Sequence, residues 1–147
     1  LIDTFKTLKY PLVIAGQSDN KKLLSQIDAL KNVSFIPLED EQHLFELFHR
    51  AHINILFSFQ KSGIKLKLIN ALFQSRYTVA NSNMTEGTGL EELCHIANNK
   101  NEIRSTILKL TDLDFSEEEI AKRQRLLSEF SNKENSLKIL ELMNSAD

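Results

Sequence analysis

The stretch Ser62 to Leu72, SGIKLKLINAL, follows directly on a short apolar run, INILFSF (Ile53 to Phe59). A buried strand that ends in a Ser-Gly turn and opens into a helix leaves free backbone N–H groups and the positive helix end aimed at one place. Phosphate groups bind at such places. The same order of strand, glycine turn and helix also makes an ordinary connection with no ligand, so the surrounding pattern has to decide. Gly63, Lys67, Asn70 and Gln74 follow spacings of four, three and four, which put them on one helix face, and Lys65 falls in the first turn beside the free N–H groups. That face fits either the solvated edge of a half-buried helix or a wall of a nucleotide pocket. Ile64, Leu66, Leu68, Ile69, Leu72 and Phe73 spread around most of the circumference, which predicts a helix over 62–75 that is largely buried.

Other chemistries find less support. Cys94 and His95 are neighbours, so on a strand they point to opposite faces and cannot hold a metal together. His43, His49 and His52 lie on or just after one helical pattern with no carboxylate or cysteine arrangement to complete a ligand set. No nucleophile elbow, dinucleotide fingerprint or P-loop is present. The segment SNMTEGTGLEEL (Ser82 to Leu93) fits either a sugar-facing loop or a surface turn.

The elements that must position these residues alternate. Apolar, β-rich runs occur at PLVIA (Pro11 to Ala15), VSFIPL (Val33 to Leu38), INILFSF, YTVA (Tyr77 to Ala80) and CHIA (Cys94 to Ala97). Ser18 or Asp19 can cap a helix carrying Leu23, Leu24, Ile27 and Leu30, and Asp40 one carrying Leu44, Phe45, Phe48 and Ala51. Strands that read apolar throughout and alternate with helices imply a parallel sheet covered on both faces. From Asn98 onward only helical signals remain: Asn99 with Glu102, Ser116 with Glu119 before IAKRQRLL, and a last helix from about Asn132 to Met143. The acidic run Glu117 to Glu119 sits where a helix start favours negative charge.

The 147 residues, 41% hydrophobic and 26% charged, have the size and balance of one domain with a real core. A net charge of −2 gives no global footprint for nucleic acid, so phosphate recognition has to be local. The single cysteine excludes an internal disulfide framework and fits a reducing, cytoplasmic setting. No apolar run approaches membrane-spanning length.

With these residues in place, the chain resembles the donor-binding half of retaining glycosyltransferases built from two Rossmann domains (the GT-B type), notably family 4. PLVIAG (Pro11 to Gly16) is similar to that family's strand ending in glycine and NVSFIPL to its strand near the base. DEQHLFELFHRAHINILFSF is similar to its helix followed by a strand, and GIKLKLINALFQSR to a bacterial branch of such polysaccharide-building enzymes. The resemblance covers nearly the whole chain. It implies a Rossmann-like parallel sheet with helices on both faces, a helical last third, and a hexosyltransferase-like enzyme that takes its sugar from a nucleotide-diphosphate sugar. The base would lie near Ile36, Pro37 and Leu38, the diphosphate at the turn formed by Ser62, Gly63, Ile64, Lys65 and Leu66, and the ribose at Asn70, with Gly16 also among the donor-binding residues. No metal or other cofactor is implied.

Two departures from the family accompany the resemblance. Ser62 and Asn70 stand where typical members carry two glutamates, one orienting the donor sugar and the other holding the ribose. An asparagine amide still offers the ribose a donor and an acceptor, whereas Ser62 suits a helix cap, a phosphate or a hydroxyl. Lys65 replaces the second glycine of the turn. The chain also opens inside the helix similar to LIDTFKTLK (Leu1 to Lys9), so residues 1–147 read as a single donor domain lacking its first strand, a fragment of a longer enzyme inactive by itself. In the usual order that strand would separate PLVIA from INILFSF. The acceptor-binding N-terminal domain would be its partner, and any peripheral membrane association would run through that domain. The competing reading is a non-catalytic α/β interaction or regulatory module, such as a degenerate transferase half.

Overall fold

A computed structural model describes residues 1–60, 63 and 65–144, without the side chains of 132–134, 142 and 144. Ser62 and Ile64, two of the residues singled out above, lie outside the described residues. Five strands and eight α-helices follow one another among the described residues: α1 (Ile2–Phe5), β1 (Leu12–Gly16), α2 (Lys21–Asp28), β2 (Val33–Pro37), α3 (Glu41–Arg50), β3 (Ile53–Leu56), α4 (Leu66–Gln74), β4 (Tyr77–Ala80), α5 (Ser82–Thr85), β5 (His95–Ile96), α6 (Lys100–Thr111), α7 (Glu117–Leu127) and α8 (Asn132–Asn144). The chain is an open α/β structure in which every strand pairing is parallel.

The strands form two ladders, β1–β2 and β3–β4–β5, that are not hydrogen-bonded to each other. Direct pairing of β1 with β3, which would contradict a missing strand between them, does not occur. Both ladders nevertheless pack on one apolar cluster, where Leu12 and Val33 join Val79 and Ala97 beneath Ile27 of α2 and Ile103, Ile107 and Leu110 of α6. A second cluster gathers Leu56 and Ala80 with Phe48 of α3, Leu68 and Leu72 of α4, and Leu127 of α7. Successive strand residues point to opposite faces, so Val79 and Ala80 feed different clusters, and all four residues of β4 are buried. The expectation of a sheet covered on both faces therefore holds at β4. It does not hold at β1, where Leu12 is buried but Val13 is 48% exposed. Among the described residues that side of β1 and β2 carries no comparable apolar cover, since Ala15 and Ser34 are exposed as well.

Local capping fixes the starts of α3, α6 and α7 as the sequence implies. Asp40 accepts from the His43 amide, Asn99 from Asn101 and Glu102, and Ser116 from Glu119. The cap of α2 is Asn20, which accepts from Leu23 at 3.1 Å; Ser18 instead accepts from the Asn20 amide itself, and Asp19 stands two positions outside the helix. The helix over Leu1 to Lys9 shrinks to α1, beyond which the Thr7 and Leu8 amides donate to the carbonyls three residues back, of Thr4 and Phe5. The Asn32 amide donates to the carbonyls of Phe5, Leu8 and Tyr10 at 3.0, 2.8 and 3.1 Å, binding this segment to the turn before β2.

Candidate functional site

The structure gathers the sequence-predicted residues into two groups, one at the carboxyl end of each ladder. Such ends are where open α/β sheets bind ligands. At the end of β1–β2, Gly16 stands in register with Pro37, and the Leu38 amide donates to the Gly16 carbonyl at 3.1 Å. Ile36 and Leu38 are half-buried and Pro37 is exposed. This end is closed by backbone alone.

The other group begins where β3 gives way to α4. Gly63 holds φ at +96°, a conformation costly for residues with a side chain, and α4 starts three residues later with Lys65 as its N-cap. The helix is therefore shorter at its start than the 62–75 span expected, and it is less buried. Leu68, Ala71 and Leu72 are sealed in the core, but Leu66 is 62% exposed at the first turn and Phe73 46% near the last. Burial on one side explains the difference, because apolar residues around the circumference meet core only where α3, α7 and the ladder lie. Asn70 is half-buried one turn in from Leu66. Gln74, on the same polar stripe, lines a cleft with Gln42, Phe45 and His49 of α3.

The N-terminus of α4 differs from those of α2, α3, α6 and α7 and, like α1 and α5, has no side-chain cap from its N-cap residue. Asn20, Asp40, Asn99 and Ser116 each place a side-chain oxygen on first-turn amides of α2, α3, α6 and α7. Lys65 makes no such cap, and no acidic residue occupies the first turn of α4. Its ammonium instead donates to the Gln60 carbonyl at 2.8 Å and lies 3.4 Å from the Ser58 hydroxyl. A helix start without acidic residues and with a cation beside it is an electropositive locus suited to a phosphate oxygen.

Three residues that sequence reasoning did not single out organise this end. The Asn81 carboxamide accepts from the Ser58 amide at 3.0 Å and donates to the Ser58 carbonyl at 2.8 Å. Ser58 in turn bonds both backbone groups of Gln60, and the Ser82 amide donates to the Asn98 side chain at 2.9 Å. The signal was available, since YTVA and CHIA are both followed at once by asparagine.

His52, Cys94 and His95 are part of the packing. His52 meets the Leu110 carbonyl through Nε2 at 2.9 Å and stacks edge-on with Tyr77. Burial pushes the Cys94 thiol up to about 12, as expected of a core thiol, and pushes His95 below its ordinary value. In the segment Ser82 to Leu93, Met84, Thr85 and Leu90 are buried, and Gly87 and Gly89 take positive φ. A cleft of about 450 Å³ between α4 and α7 is lined by Phe73, Phe115, Ile120 and Arg123 and touches neither group. Arg123 there crosses the end of α4, donating to the Ser75 and Arg76 carbonyls with its guanidinium over the Phe115 ring. Among the described residues, no helix is long and apolar enough to cross a membrane. No family model, curated protein or solved structure matches the chain.

Proposed function

We propose that this chain is a Rossmann-like domain that binds a nucleotide-diphosphate sugar, as the donor half of a glycosyltransferase whose acceptor side comes from another domain. The observation that carries the reading is the start of α4, free of acidic residues in its first turn, without a cap from the Lys65 side chain, approached through a positive-φ glycine and flanked by the Lys65 ammonium. The diphosphate would lie against that start. The ribose would reach Asn70, and the base would lie toward Gly16, Ile36, Pro37 and Leu38. In the transfer step negative charge grows on the departing nucleoside diphosphate, and a preorganised helix start with an adjacent cation stabilises that charge more than it stabilises the intact donor.

Calorimetry with uridine, guanosine and adenosine diphosphates on the full enzyme tests this. One of them is expected to bind, and Asn70→Ala is expected to weaken it by about 1–2 kcal/mol through loss of one or two ribose hydrogen bonds. Equal affinity in the two proteins removes Asn70 from the site. No binding of any diphosphate leaves a non-catalytic α/β module.

A further inference from the structure

The geometry points to Asn81 as a positioning residue of the diphosphate site, a role that rests on the functional reading above. The β3–β4 ladder ends at the pair Leu56 and Ala80, and beyond it β4 gives way to α5. Ser58 would then present an amide and a carbonyl with no strand beside them. The Asn81 side chain supplies the missing rung, matching both groups of Ser58 with the donor and acceptor of one carboxamide.

From there the bonds run in one direction. Ser58 Oγ donates to the Gln60 carbonyl at 2.7 Å and accepts from the Gln60 amide at 3.1 Å, and that same carbonyl receives the Lys65 ammonium. Asn81 thus sets the turn at 58–60, and the turn sets the cation at the mouth of α4. Phe59, at the tip of this turn, is 97% exposed and makes no core contact that could hold the turn in its place. A side-chain rung, unlike a backbone one, can be removed without disturbing the strand that carries it.

The exposed Phe59 also offers a reporter, because the sequence contains no tryptophan. In the Phe59→Trp protein, fluorescence anisotropy reads the order of the turn; in the native background, calorimetry reads affinity for the three nucleoside diphosphates. Asn81→Ala and Asn81→Asp, the latter keeping an acceptor for the Ser58 amide but setting a carboxylate against the Ser58 carbonyl, are expected to lower the anisotropy. Both should weaken the diphosphate by about tenfold, the scale of a misplaced charged hydrogen bond. Ile107→Val, a core change in α6 remote from the turn, is the control for lost stability and should leave both readings unchanged. Asn81 variants that behave like Ile107→Val overturn the inference, and so does lower anisotropy with undiminished affinity, which would make Asn81 structural only. If the native protein binds no diphosphate, the functional reading fails and the ligand role of Asn81 falls with it; loss of binding confined to the variants cannot be confused with that result.

Discussion

The β1–β2 and β3–β4–β5 ladders use the same parallel pairing and share a core, yet their carboxyl ends are finished in different ways. At β1–β2 a single backbone bond from Leu38 to Gly16 closes the end, and one face of the strands stays open, with Val13 48% exposed. At β4 both faces are covered, and side chains of Asn81, Ser58, Asn98 and Lys65 lace the end of its ladder together. The β1–β2 end offers exposed Pro37 beside half-buried Ile36 and Leu38, the side chains proposed to meet the base. An end laced by amides and an ammonium fixes polar groups in advance, which a diphosphate requires if its charge is to be met without reorganisation. The division of labour proposed for the two ends follows from that contrast.

Glycine substitutions should break the contrast most visibly. Alanine has open space at both Gly16 and Gly63, but only Gly63 has a positive φ. Gly63→Ala is expected to cost about 1–3 kcal/mol through backbone strain, whereas Gly16→Ala should stay within about 0.5 kcal/mol. Urea unfolding of the two variants measures the difference. Equal costs would show that the turn before α4 is no more constrained than the end of β1.

A smaller effect, absent at neutral pH, separates the ladders by titration. Cys94 immediately precedes β5 and packs against the second apolar cluster, and burial holds its thiol at about 12 against an ordinary 9. Above pH 9 the unfolded chain releases that proton while the folded chain retains it, so the folded state binds more protons and stability falls as pH rises from 9 toward 12. Unfolding midpoints at pH 8 and pH 10 (about one unit on either side of the free thiol) should diverge more in the native protein than in Cys94→Ala. An identical divergence would mean that the thiol is not shielded as the packing requires.

How far the sequence reveals this structure depends on the range of the interaction that fixes each feature. YTVA is β4 residue for residue, and Asp40, Asn99 and Ser116 cap where expected, because a strand's apolar run and a cap's three-residue reach are both local. The helix over Leu1 to Lys9 is only four residues long, and the segment after it is held by Asn32, more than twenty positions away. INILFSF stops pairing at Leu56 since the next rung comes from the side chain of Asn81. Of the candidate site, the glycine turn and the helix that follows were legible as a phosphate-binding pattern. The lacing was not, for it joins residues whose proximity only the ladder creates.

The central claim, that a nucleoside diphosphate lies against the start of α4, is tested most directly by amide chemical shifts of the isotopically labelled protein during titration with the diphosphate that binds. The account predicts shifts at Gly63, Lys65, Leu66 and Asn70, with smaller ones at Gly16 and Leu38 where the base would rest. Shifts confined to Phe73, Phe115, Ile120 and Arg123, in the cleft between α4 and α7, would contradict it.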